Sequence, residues 1–140
     1  MLTTSDITGL DLDADLVILS ACNSGGPGGT TAGASLSGLA RAFFYAGARS
    51  LEVTHWSVND QVAAFLVADT LRRLRENPNL GIAGALRDAQ LAMLADAGKG
   101  MPAEIAHPFF WAAFAVIGEG GGRGAISAER RISPPRLAGL

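Results

Sequence analysis

Residues 15–21, DLVILSA, form an apolar run without polar alternation, which stops at Cys22 and opens into NSGGPGGTTAG. A continuous run of this length reads as a strand covered on both faces, the kind found in parallel sheets beneath helices. The loop over residues 23–33 holds five glycines and a proline, which end the strand. From Ser35 to Ala46 the pattern becomes helical. Leu36, Leu39, Ala40, Phe43 and Phe44 form one stripe at i, i+3, i+4, i+7 and i+8, and Gly47 suits the position after the helix.

The rest of the chain repeats this alternation. Residues 3–9 predict a short helical turn capped by Thr4 or Ser5, before Asp11, Asp13 and Asp15 alternate with apolar residues. Residues 49–55, RSLEVTH, predict a second strand. Ser57, with Asp60 three residues on, predicts the cap of a helix reaching Glu76, with Pro78 beyond it. A further helix fits residues 81–96, with Ile82, Ala85, Leu86, Ala89 and Met93 on one face and Gly98 or Gly100 closing it. Residues 109–117, FFWAAFAVI, predict a third strand, followed by GEGGGRG and a tail with Arg130, Arg131 and Arg136. Strands alternating with helices imply an α/β layer fold with about three mostly parallel strands flanked by helices. The expected organisation is one ordered unit over 1–120 and a flexible, solvated tail over 121–140.

Composition excludes several classes. The net charge is −2 and the sequence pI about 5.6, so nucleic acid and anionic membranes are not expected partners. The first residues lack the basic and apolar regions of a signal peptide, and no stretch approaches the ~20 apolar residues that span a bilayer. With one cysteine there is no internal disulfide and no Cys/His spacing for a metal. Neither metal nor cofactor is expected, and a reducing, cytoplasmic setting follows.

Cys22 sits where a strand of a parallel sheet ends, facing the crevice in which α/β proteins bind ligands. Backbone N–H groups of the following loop favour a thiolate or an oxyanion there. The plainer reading is a small core residue. A phosphate-binding loop is a poorer match: GGTTAGAS, residues 28–35, places Ala34 where the P-loop needs lysine. Ser35 also lacks the second glycine of a nucleophile elbow.

The segment SACNSG after an apolar strand closely resembles the nucleophile segment of the CHAT family, caspase-like cysteine peptidases of the caspase–separase clan. LSGLARAFFYAGARSLEVTHWSVND resembles that family's next helix and strand, and HPFFWAAFAVIGEG its closing strand. Together the matching pieces cover residues 2–120. The resemblance implies a caspase-like three-layer sandwich and an endopeptidase mechanism. Cys22 would attack a peptide carbonyl to form an acyl-enzyme. Its own N–H and the loop residues Asn23, Ser24 and Gly25 would form the oxyanion site. His55 and Trp56, in THW, would line the substrate cleft.

The sequence departs from the family in one respect. The family's general base is a histidine upstream of the cysteine, and no histidine precedes Cys22. The chain therefore reads as the carboxyl-terminal half of the domain, inactive alone. His55 is the one resident candidate to substitute; its alternative is a pocket or packing residue. His107, before Pro108, reads as a strand-entry residue. Without the histidine half, the Cys22 strand would be a bare sheet edge open to another chain. Two functions follow: a peptidase fragment completed by a chain that supplies the histidine, acting on a protein or peptide, or a non-catalytic interaction module pairing through that edge. Ser20, two residues before Cys22, gives no ground for a basic substrate preference.

Overall fold

The computed structural model describes residues 4–19 and 32–121. Its sheet has three strands in the order β1-β2-β3: β1 Val17–Leu19, β2 Ser50–Thr54 and β3 Phe114–Gly118. β1 runs parallel to β2, with Val17, Ile18 and Leu19 opposite Leu51, Glu52 and Val53. β3 runs antiparallel to β2, from Ser50 opposite Gly118 to Thr54 opposite Phe114.

Five helices flank the sheet among the described residues: α1 Thr4–Thr8, α2 Ala32–Tyr45, α3 Asp60–Glu76, α4 Gly81–Asp96 and the one-turn α5 Pro108–Trp111. The α/β architecture with a helix-flanked, three-stranded sheet is the one the sequence implies. The direction of β3 differs from a mostly parallel sheet. A single helix between two strands returns the chain to the opposite edge, which gives a parallel pair. Here α3 and α4 form a hairpin across Asn77–Leu80, so the chain returns to the edge it left and β3 must run back.

The sheet separates two cores. On one face Leu51 and Val53 pack with Ile7, Ala40, Ala42 and Phe43, joined by Val17 and Leu19. On the other, Phe114 and Val116 pack with Val62 and Leu66 of α3 and with Leu86, Ala89 and Met93 of α4. β2 is buried almost throughout, whereas β1 is only half-buried. The expectation that β1 is covered on both faces is thus corrected: among the described residues it is an edge strand paired with β2 alone. Ser20 and Ala21, and the loop that follows them, lie outside the described residues.

The chain before β1 is tied to the end of α2. Leu12 N–H donates to Ala46 O at 2.5 Å and Arg49 N–H to Ala14 O at 2.9 Å. The Arg49 guanidinium bonds Asp13 at 2.7 Å and Asp15 at 2.5 Å, which explains two of the three alternating acids. Gly47, expected after the helix, has φ +101°, and a Cβ there would lie 2.0 Å from Leu12 O. Only glycine fits this approach.

Two local expectations are also corrected. Asn59, not Ser57, caps α3; its side chain accepts from the N–H groups of Gln61 and Val62. Residues 109–111 are not strand. Pro108 opens the turn of α5, and β3 begins only at Phe114.

Candidate functional site

β1 and β2 are parallel, so their carboxyl ends lie at one edge of the sheet, where ligands of α/β sheets gather. β1 and β2, the strands that precede the two segments singled out from the sequence, both end at this edge. Cys22, Asn23, Ser24 and Gly25 lie outside the described residues. Covalent reach still bounds Cys22: it follows Leu19 by three residues, at most about 11 Å of extended chain. Leu19 is paired with Val53, two residues before His55.

His55 leaves β2 with its N–H donating to Ala113 O at 2.9 Å, which extends the β2–β3 pairing beyond the strands. Its side chain is exposed, and no described residue hydrogen-bonds the imidazole. Trp56 is held firmly. Its indole Nε1 donates to Phe109 O at 2.8 Å, and its ring stacks on Phe109 with centroids 6.2 Å apart and planes at 27°. Phe109 in turn meets Phe110 edge to face at 5.7 Å. The aromatic ledge at the sheet edge therefore comes from two distant segments, THW and PFF.

His107 has a different role from strand entry. It caps α5, with Nδ1 accepting the N–H of Phe109 at 3.2 Å, and so sets the turn that offers Phe109 to Trp56. Trp111 Nε1 donates to Ala106 O at 3.2 Å, and Gln90 donates to Trp111 O at 3.0 Å, which anchors the same turn to α4.

Behind the ledge lies a pocket of about 260 Å³, lined by Val62, Phe65, Met93, Met101, Ile105 and Phe110. Its rim carries Asn59, Gln61 and Glu104. Phe110 joins it to the Trp56 ledge. Sequence reasoning missed both the pocket and the role of Phe109, because PFFW reads as the start of an apolar strand. The available signal was the His-Pro pair, a cap followed by a residue suited to the first turn.

The arrangement is that of an α/β domain whose two parallel strands end at one edge, where the aromatic segment around Trp56 leaves β2. The chain belongs to the CHAT domain family, whose model matches residues 1–119. CHAT domains are related to caspase-like peptidases. No curated protein and no solved structure matches the chain significantly. Among the described residues no helix is long and apolar enough to cross a membrane.

Proposed function

We propose that this chain carries the nucleophile portion of a CHAT-type cysteine endopeptidase and takes its general base from a histidine outside these 140 residues. Cys22 is the nucleophile, its N–H and the loop of Asn23, Ser24 and Gly25 meet the oxyanion, and Trp56 forms a wall of the substrate cleft. The observation that supports this reading is the parallel β1–β2 pairing, which ends the strand before Cys22 and the strand before His55 and Trp56 at one edge of the sheet. The thiolate attacks the peptide carbonyl, the tetrahedral oxyanion collapses with loss of the amine, and water hydrolyses the acyl-enzyme. Each step needs a proton carrier beside the thiol. No described residue hydrogen-bonds the exposed imidazole of His55 to orient it for that task. The substrate is a protein or peptide, and the apolar ledge and pocket suit apolar side chains. A lone cysteine suits the reducing cytoplasm.

Iodoacetamide labelling of Cys22 across pH tests this. The expected midpoint is near the ordinary thiol value of ~8.5, unchanged by His55→Ala. A midpoint well below 8 that is lost in His55→Ala would show a base within the chain. A thiol that never reacts in the folded protein would sink the nucleophile assignment.

A second reading is favoured by β1, whose outer side has no strand partner among the described residues. In that reading the domain is a non-catalytic module that binds another chain by adding a strand to this edge.

A further inference from the structure

Glu52 lies in the middle of β2 with 1% of its surface exposed, and neither carboxylate oxygen has a hydrogen-bond partner. It takes part in none of the ion pairs of the described residues. Its neighbours in register are Ile18 on β1 and Val116 on β3. Side chains alternate along a strand, so these three share the face that packs against α3 and α4. The helix positions buried toward that face are uncharged: Val62, Leu66 and Thr70 on α3, and Ala85, Leu86 and Ala89 on α4. Thr70 Oγ1 and Ser50 Oγ are buried without partners as well. Nothing within the described fold therefore answers this carboxylate.

Coverage of this face is uneven. Val116 joins the core beneath α3 and α4, but Ile18 packs into neither core. Among the described residues the face is thus covered over β2 and β3 and only partly covered over β1. Beside Ile18 is the edge of β1 that has no strand partner among the described residues. Among the described residues, an open ladder, a half-buried apolar side chain and an unanswered carboxylate meet on β1 and β2.

We propose that this corner receives an extended segment of another chain, which adds a strand to β1 and lays a lysine or arginine over Ile18 against Glu52. The proposal rests on the edge-pairing reading and specifies the chemistry of its partner. Strands lie about 4.8 Å apart, so the added strand runs about 10 Å from β2. Lysine and arginine cover such a distance with an apolar stem, which suits Ile18, and a charged head, which suits Glu52. The main chain supplies affinity through β1, and the charge-assisted bond to Glu52 selects the sequence.

Display selection of random decapeptides on the full chain carrying Cys22→Ser tests this without any contribution from catalysis. The enriched peptides are expected to alternate apolar residues with one lysine or arginine. They should bind at least tenfold more weakly when that residue is norleucine, or when the chain carries Glu52→Gln. They should also slow hydrogen exchange at the outward amides of Val17–Leu19. The norleucine arm needs no protein variant and so holds even if Glu52→Gln misfolds. Protection of β1 without a cation preference overturns the inference and leaves edge pairing standing. No enrichment, or binding that leaves β1 amides unprotected, overturns both. Protection already present in the free chain and lost on deleting residues 122–140 gives the edge to the chain's own tail, and overturns it too.

Discussion

Trp56 and Phe109, 53 positions apart in the chain, are joined twice: the indole N–H donates to the Phe109 carbonyl at 2.8 Å, and the rings stack at 6.2 Å. The hydrogen bond contributes about 1 kcal/mol and the stacking a similar amount. Trp56→Phe should therefore cost roughly 1 kcal/mol and Trp56→Ala roughly 2. Urea unfolding followed by circular dichroism reads both. Equal midpoints for all three proteins would show that the ledge contributes nothing to the fold.

The cap of α3 separates two neighbouring residues. Asn59→Ala removes the acceptor for the Gln61 and Val62 N–H groups and should lower stability by about 1 kcal/mol. Ser57→Ala should leave the unfolding midpoint within error. The reverse order of effects would return the cap to Ser57.

Gly47→Ala places a Cβ against Leu12 O in a left-handed backbone. Strain and clash together should cost about 2–3 kcal/mol or more. Thermal unfolding measures it. The loss should fall on the joint that seats β1, so amides of Leu12 and Arg49 should exchange faster than those of α3.

Burial pushes the Glu52 carboxyl up from its ordinary 4.5 to about 7. The folded chain then holds this proton more tightly than the unfolded chain. Its contribution to stability is complete below about pH 4.5 and is lost as pH rises through 7, a change of up to roughly 3 kcal/mol. Urea midpoints at pH 5 and pH 7.5 should differ accordingly, and Glu52→Gln should flatten the difference. An unchanged slope in the variant would assign the pH dependence to other groups.

α3 and α4 were legible because their apolar residues keep a 3.6-residue period over four turns or more. Residues 81–96 are α4 to the residue, and the helix expected to reach Glu76 does so. β3 was less legible. FFWAAFAVI is apolar throughout, so neither the turn at its start nor its direction shows in periodicity. The direction follows instead from having two helices, not one, between β2 and β3. Glu52 stood out in no pattern either, since a single acid between Leu51 and Val53 fits ordinary strand alternation. Only the register reveals that α3 and α4 cover the face it occupies. THW lies at the end of β2, where the sequence reading has a strand end, while its partner Phe109 depended on a contact that no local pattern encodes.

The parallel pairing of β1 has a consequence for how the molecule is assembled. α3 and α4 meet through a short turn, so their contacts are local and quick to form. β1 finds β2 only after the 30 residues between Leu19 and Ser50 have been brought back on themselves, and it then gains just three paired positions. Contacts that close such long loops come late, and segments with few of them open first. With three paired positions against five for β3, the strand leading to the thiol is therefore the piece of the sheet expected to work loose first.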